Sequence, residues 1–146
     1  MIKSLSYIGE ILPILLLFFY IKTNDCFFLK VFVCNLFVVT SVVFLKKSFP
    51  LCFGDKDMFK RPEGACNCSL FGGGEQGDFA FPSGHAASVT FICLALYYRF
   101  KRVEWLYLIP IVAFSRLYSK CHSLAQVIAG CVYGYVVFYI TIKKIF

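Results

Sequence analysis

Residues 29–45 of the chain read LKVFVCNLFVVTSVVFL, an apolar run with one charged side chain, that of Lys30. Its length approaches the roughly 20 residues that span the hydrocarbon core of a bilayer, and therefore predicts a transmembrane helix. The other apolar runs are Tyr7–Ile21, Ala86–Tyr98, Val103–Phe114 and Leu124–Ile142. Two of these are short, and they reach spanning length when extended through Ser83 and Arg116. We expect an all-α, polytopic membrane helix bundle of about five transmembrane helices, forming a single domain over residues 1–146.

The composition indicates the same surroundings. Hydrophobic residues make up 60% of the 146, which is more than one water-soluble core of that size can bury. The formal charge of +7 comes from Lys and Arg clusters at the ends of the apolar runs, and no basic stripe alternates with stacking aromatic residues. Nucleic acid is therefore excluded as a partner, and membrane lipids are expected.

The longest segment between apolar runs, Lys46–Ala80, has the Pro, Gly and acidic residues of an extramembrane loop. Its run Gly72–Gly74 lacks the Lys and Ser or Thr that would follow in a phosphate-binding loop, and is interpreted as a flexible tip. Lys46 and Lys47 are typical of a snorkelling pair that closes a transmembrane helix. Glu10, inside the first run, is interpreted as structural: near a helix end, protonated, or paired with a neighbouring helix.

The alternation of helices predicts the orientation. Five helices place the N-terminus, the long loop and the polar motifs described below on one face. The opposite face receives short basic connections and a basic tail, containing Lys22, Lys30, Arg99, Lys101, Arg102, Lys143 and Lys144. The motif face has a similar number of basic residues, but several of those belong to the predicted site. By the positive-inside rule, the C-terminus is cytoplasmic and the motif face is non-cytoplasmic.

Seven of the eight Cys residues fall into two groups. Cys34, Cys93 and Cys131 lie inside apolar runs and are expected to be inert, small hydrophobic residues. The candidates for a disulfide, if the motif side faces an oxidising compartment, are Cys52, Cys66, Cys68 and Cys121. The Cys66-Asn67-Cys68 spacing is too tight for the usual zinc ligands, so we expect no metal site.

Three polar segments at helix ends share the motif face, namely Lys60-Arg61-Pro62, Pro82-Ser83-Gly84-His85, and Ser115-Arg116 with His122. The guanidinium groups of two arginines can each bind phosphate oxygens bidentately. The helix start after Pro82 adds N–H groups that point at an anion, and Gly84 lets the backbone approach it closely. A neutral imidazole can attack phosphorus while a protonated one donates a proton to the leaving oxygen, so no metal or other cofactor is required.

This order of motifs resembles the type-2 phosphatidic acid phosphatase superfamily, which also includes glucose-6-phosphatase, bacterial diphosphate-lipid phosphatases and, more distantly, vanadium haloperoxidases. The resemblance runs from about Lys56 to Gln126. It implies that His122 is the nucleophile, forming a phosphohistidine, and that His85 is the general acid. The phosphate ligands that it implies are Arg61, Ser83, Gly84 and Arg116.

The chain departs from the family pattern at two positions. Gly54 stands where the family has a phosphate-binding Lys, and Lys56 or Lys60 is the candidate substitute. Gln126 stands where the family has an Asp one helical turn after the nucleophile; its carbonyl oxygen can orient the imidazole but has no charge. If that Asp acts as in a serine-hydrolase triad, its loss lowers the rate by up to about 10⁴ unless another carboxylate replaces it. The candidate replacements are Glu63, Glu75 and Asp78.

The resemblance implies a lipid phosphate phosphatase that hydrolyses a phosphate monoester or diphosphate without a metal. Phosphatidate or a prenyl diphosphate is the expected substrate, because a site at helix ends accepts a headgroup while the lipid chains stay in the bilayer. Two alternatives remain: a phosphotransferase that moves a phosphate or headgroup between lipids, and a catalytically degenerate protein that binds lipid phosphate without turnover.

Overall fold

The computed structural model describes residues 2–5, 7–54, 57–63 and 79–145. Within these ranges the helices are α1 (Ile2–Leu5), α2 (Ile8–Thr23), α3 (Cys26–Phe53), α4 (Gly84–Phe100), α5 (Leu108–Tyr118) and α6 (Leu124–Ile145). Two short 3-10 helices are Asp57–Phe59 and Val103–Tyr107. Because α1 is only four residues long, five longer helices make up the fold. The predicted all-α class and the number of about five helices are confirmed.

Helix α3 is longer than its apolar run. The run ends at Leu45, but the helix continues through Pro50 to Phe53, and Gly54 follows at φ 76°. The prediction that the loop starts at Lys46 is therefore wrong, because helical hydrogen bonding persists after the apolar composition stops. Lys46 consequently lies on a helix, about two turns before its end.

Two helices are long and apolar enough to cross a membrane, by length and composition: α3 over Cys26–Phe53, and Leu124–Ile142 of α6. The other three long helices, α2, α4 and α5, have 16, 17 and 11 residues. Helix α5 is shorter than its apolar run because Val103–Tyr107 is wound as a 3-10 helix. Large apolar side chains cover the outer surface, among them Phe44 and Ile140, which are 69% and 65% exposed. Such a surface suits lipid better than water.

Helix α4 lies at the centre of the bundle. It packs against α2, α3, α5 and α6. Its first three turns are almost entirely buried, from Ala86 to Cys93. The sequence Ser83-Gly84-His85 at its N-terminal end therefore lies in the middle of one end of the bundle, where side chains from all the neighbouring helices can reach it.

The closest helix contact joins α4 to α6. A Cβ atom at Gly130 would collide with the carbonyl oxygen of Ser83, and one at Gly134 would collide with that of Ala87. Two glycines four positions apart form a groove that lets helix backbones approach closely, as small-residue motifs do in membrane helix pairs. This contact brings the start of α6, just after His122, against the start of α4.

Two side-chain hydrogen bonds hold α3 against its neighbours. Ser88 Oγ on α4 donates to Asn35 Oδ1 at 2.9 Å, and Tyr133 on α6 donates its hydroxyl to Ser41 Oγ at 2.6 Å. Interhelical bonds of this kind contribute about 0.6 kcal/mol each in membrane proteins, so most of the stabilisation comes from packing. Their effect here is to fix the relative positions of α3, α4 and α6.

Candidate active site

A polar cluster occupies the end of the bundle where α2, α4 and α6 begin and α3 and α5 end. It brings together Glu10, Lys46, Arg61, Ser83, His85, Arg116, His122 and Gln126. These residues come from five helices and the connections between them. All three polar segments singled out from the sequence therefore meet at one end of the molecule.

His122 lies in the turn between α5 and α6 and is 3% exposed. Its Nδ1 is 3.2 Å from Oε1 of Gln126, and that oxygen also accepts a hydrogen bond from the backbone N–H of Ser123 at 3.1 Å. An amide oxygen only accepts, so Nδ1 is the nitrogen that bears the proton. The lone pair of the neutral ring is then on Nε2, the nitrogen available for attack.

The amide nitrogen of Gln126 has a separate role. It donates to the carbonyl oxygens of Met58 at 2.9 Å and Lys60 at 2.7 Å. The same side chain thus orients His122 and fastens the segment that precedes Arg61 to α6. A carboxylate has no hydrogen to donate to these carbonyls. The sequence held no signal for this role, since the partners are 66 and 68 residues away.

Three cations surround His122. Burial, followed by the positive charges of Arg116, Lys46 and Arg61, lowers the pKa of His122 to about 2, against a smaller opposing effect of the hydrogen bond that His122 donates to Gln126. His122 is therefore neutral throughout the physiological pH range. A neutral imidazole among cations is suited to attack an anionic phosphate, because the ring keeps its lone pair while the cations bind the anion.

The two arginines are held differently. Arg116, in the last turn of α5, is 1% exposed, and so complete a burial is rare for an arginine. Arg61 is half-buried and donates from a guanidinium nitrogen to the carbonyl oxygen of Cys121 at 3.3 Å. The backbone N–H of Cys121 in turn donates to the carbonyl oxygen of Arg116 at 3.0 Å. Both arginines are thus tied to the turn that presents His122.

Lys46 is part of this cluster, and the snorkelling interpretation does not describe it. Lys46 is half-buried, and its charge acts on both histidines, whereas Lys47 is exposed. Hydropathy could not distinguish Lys46 from Lys47, because the rotation of α3 about its axis determines which of the two adjacent side chains faces the bundle. The sequence contains that signal only when the helix is extended past Leu45.

The start of α4 offers groups for an anion. Ser83 is fully buried, and its Oγ makes no hydrogen bond within the described ranges. Buried hydroxyls are normally hydrogen-bonded, so this one fits a ligand oxygen. A Cβ at Gly84 would meet only Val42, at an ordinary 3.5 Å. Packing therefore does not require glycine there, and a glycine would let a ligand approach the backbone closely.

His85 has a carboxylate partner. Its Nε2 is 2.9 Å from Oε1 of Glu10 on α2, and the two side chains are 19% and 13% exposed. A partner on a neighbouring helix was one expectation for Glu10, but the sequence gives no sign that this partner is His85, which is 75 residues away.

A comparison with family models matches residues 27–146 to the PAP2 superfamily, the type-2 phosphatidic acid phosphatases. The chain belongs to this superfamily. No curated protein and no solved structure matches it. Membership implies phosphatase-type chemistry on a phosphate ester and, together with the two apolar helices long enough to span a bilayer, a membrane protein.

The PAP2 lysine position is occupied by Gly54, which has φ 76° and lies at the end of α3. Of the two candidate substitutes, Lys56 lies outside the described residues. The Lys60 ammonium is 3.7 Å from Asp57, an exposed carboxylate. The charge of Lys46 acts on the two histidines.

The carboxylates considered for His122 do not contact it in the described part of the chain. Glu63 is exposed, and Glu75 and Asp78 lie outside the described residues. The carboxylate that this PAP2 site does contain, that of Glu10, contacts the other histidine.

The cysteines divide much as the sequence suggested. Cys93 and Cys131 are free, and so is Cys52, which the sequence had offered as a disulfide candidate. Cys121 is disulfide-bonded and completely buried beside His122. The predictions for Cys66 and Cys68 concern residues outside the described ranges.

Proposed function

We propose that this PAP2 protein is a lipid phosphate phosphatase that hydrolyses a phosphate monoester or diphosphate through a phosphohistidine on His122. The observation that supports this most directly is the state of His122: buried, neutral, hydrogen-bonded through Nδ1 to Gln126, and surrounded by three cations. A nucleophile and a charge-stabilising environment for a transferring phosphoryl group are thus combined at one point.

The proposed phosphate ligands are Arg61, Arg116, Ser83 and the N–H groups at the start of α4 around Gly84. We add Lys46 in the place of the family lysine, because its charge acts on both histidines while the Lys60 ammonium lies near Asp57. The first N–H groups of a helix have no partner within it, and they favour an anion.

The first step forms a bond between Nε2 of His122 and phosphorus and breaks the bond between phosphorus and the leaving oxygen. His85 donates its proton to that oxygen, so the lipid leaves as a neutral alcohol, or as a phosphate when the substrate is a diphosphate. In the second step water attacks phosphorus, the N–P bond breaks, and His85 takes up the water proton. Inorganic phosphate is released, and both histidines return to their starting states.

A lipid substrate fits the position of the cluster at the ends of apolar helices. The headgroup would enter among Lys46, Arg61 and Arg116 while the acyl or prenyl chains stay beside exposed apolar side chains such as Phe44. We further propose five membrane passes, with the site at the non-cytoplasmic surface and a cytoplasmic C-terminus, as the positive-inside rule predicts.

One observation favours a second candidate. No carboxylate within the described ranges contacts His122, so these ranges give the imidazolium of the phosphohistidine no anionic support, and up to about 10⁴ in rate is at stake. A protein that binds lipid phosphate without turnover would have this same cradle.

The test uses purified protein in mixed micelles with EDTA, offered phosphatidate, lysophosphatidate and a prenyl diphosphate, with released inorganic phosphate as the readout. We expect release from at least one lipid and its loss in His122→Ala. Lys101→Ala, at the opposite end of the bundle, is the matched control. No release from any lipid, or equal release by His122→Ala, would contradict hydrolysis. Vanadate binding without turnover would establish the second candidate instead.

A further inference from the structure

Glu10 and His85 form a pair, and the steps of the proposed reaction give Glu10 no role. We propose that Glu10 is a positioning residue for His85: its carboxylate holds Nε2–H, favours the protonated ring, and leaves Nδ1–H as the proton that goes to the leaving oxygen. This inference rests on the proposed function, since it assigns the support of the general acid in that reaction.

The hydrogen bond decides which nitrogen acts. Oε1 of Glu10 is 2.9 Å from Nε2 of His85. An ionised carboxylate only accepts, so Nε2 bears a hydrogen whenever Glu10 is ionised and this bond exists. The bond made by one ring nitrogen fixes the role of the other. The donor to the substrate is then Nδ1, which is protonated only when the ring is charged.

The charged ring of His85 depends on the carboxylate. Burial, the largest effect, and the positive charges of Arg116 on α5 and Lys46 on α3 all disfavour a charged imidazole, whereas the hydrogen bond and the charge of Glu10 on α2 favour it. Without Glu10, no group that acts on the ring among the described residues would favour the charged form. A general acid must hold a proton at working pH, so the pair with Glu10 supplies a condition of the reaction.

The backbone of α2 also fixes the ring. A Cβ at Gly9 would lie 2.8 Å from Cδ2 of His85 and 3.3 Å from its Cβ. Gly9 is buried, so α2 lies directly against the imidazole at that point. Two consecutive residues thus determine the ring position, one by close packing and the other by a charged hydrogen bond.

This support comes from outside the part of the chain that matches the family. The PAP2 match begins at residue 27, and α2 ends at Thr23. A carboxylate in an apolar helix is costly, which makes a functional pairing the expected reason for one. The helix that precedes the matched segment therefore contributes to the same site.

The test compares wild type, Glu10→Gln and the control Glu63→Gln, which removes an exposed carboxylate from the same end of the molecule. The substrates are a lipid phosphate, whose alkoxide leaving group needs a proton, and para-nitrophenyl phosphate, whose phenolate leaving group does not. We expect Glu10→Gln to lower kcat for the lipid phosphate by about 10² and for the aryl phosphate much less. The alkaline limb of the pH–rate profile should also move to lower pH, because glutamine no longer favours the charged ring.

If Glu10 were merely structural, Glu10→Gln would lower kcat equally for both substrates and leave the alkaline limb of the pH–rate profile in place. That result would overturn the inference. Gly9→Ala is the second variant, for the case in which Glu10→Gln does not fold, and we expect the same selective loss on the lipid phosphate. Titration of ¹⁵N-labelled His85 by NMR, which needs no turnover, should give a lower midpoint in Glu10→Gln. An unchanged midpoint would refute the pair even if no lipid is hydrolysed, whereas a lowered midpoint in an inactive wild type would leave the pair intact and reject the hydrolase.

Discussion

The two histidines of the cluster differ in what is bound to the ring. His85 has a carboxylate on one nitrogen, whereas His122 has an amide on one nitrogen and three cations nearby. A carboxylate favours a charged imidazole, and an amide among cations favours a neutral one. The hydrogen-bond partners thus bias the two rings towards opposite charge states, which is how sites can assign an acid and a nucleophile to chemically identical groups. Gln126 therefore suits a neutral His122.

The two histidines can act together only if α4 and α6 lie close to each other. Gly130 allows this, because α6 touches α4 there at the carbonyl oxygen of Ser83. In Gly130→Leu the added side chain must push the helices apart. We expect phosphate release to fall by more than about 10², since a displacement of about 1 Å at reacting groups costs that much. The melting temperature in detergent should fall as well. Ile128→Leu, an exposed neighbour on α6, is the control, and a fully active Gly130→Leu would show that the close contact does not position the site.

Gln126→Glu places a carboxylate beside His122, as Glu10 does beside His85, without changing the length of the side chain. The new charge favours a protonated imidazole, and the carbonyls of Met58 and Lys60 lose their donor. We expect kcat at neutral pH to fall between about 10- and 100-fold, the size of one to two lost charged or buried hydrogen bonds. The loss should shrink as pH rises and the ring loses its proton. Higher activity at neutral pH would instead show that the missing family carboxylate limits the rate.

The cations can be tested one at a time through the adjacent lysines. Lys46→Met removes a charge that acts on both histidines, and Lys47→Met removes an exposed one. Vanadate binding, measured by inhibition or calorimetry, should weaken about tenfold in Lys46→Met, as expected for one charged hydrogen bond. Lys47→Met should bind as wild type does. Equal effects in the two variants would return Lys46 to the role of a membrane-surface lysine.

At Gly84 the effect of an added side chain on ligand binding can be separated from its effect on packing. Its Cβ would meet only Val42 at 3.5 Å, so Gly84→Ala should melt at the wild-type temperature. Vanadate should nevertheless bind several-fold more weakly, because the methyl group would occupy space at the start of α4. A lower melting temperature with unchanged vanadate binding would reverse this assignment.

The smallest effect concerns pH and stability. His122 has a pKa of about 2 in the folded protein, against about 6.5 in an unfolded chain. The unfolded state therefore binds more protons below pH 6.5, so this contribution to stability is complete above about pH 6.5 and decreases as the pH falls towards 2. The melting temperature of His122→Asn should depend less on pH over this interval than that of wild type. Parallel curves would contradict the neutral, buried state of His122.

The sequence predicted the parts of the site that reside in local patterns. The start of α4 at Gly84 and the position of Arg116 in the last turn of α5 follow from polar residues at the ends of apolar runs. The shared end of the molecule followed from the alternation of helices. The roles of His85, His122 and the phosphate ligands remain predictions.

The sequence could not predict contacts set by helix rotation and by long-range packing. Glu10 and His85 are 75 residues apart, and Gln126 and Met58 are 68 apart. Which side of α3 faces inward at Lys46 depends on a helix end that hydropathy placed too early. The number of helices can be predicted from the apolar runs, but which polar side chains contact one another depends on how the helices pack.

The glycine groove of α6 has a consequence for when the site forms during synthesis. Membrane helices can insert separately and associate afterwards. Helix α4 is complete at Phe100, well before Gly130 and Gly134 are made. Until then the buried small-residue face of α4 has no partner, and His85 exists without a nucleophile beside it. Under the proposed mechanism, the site is complete only when α6 docks, so a nascent chain that ends before α6 is expected to lack phosphatase activity.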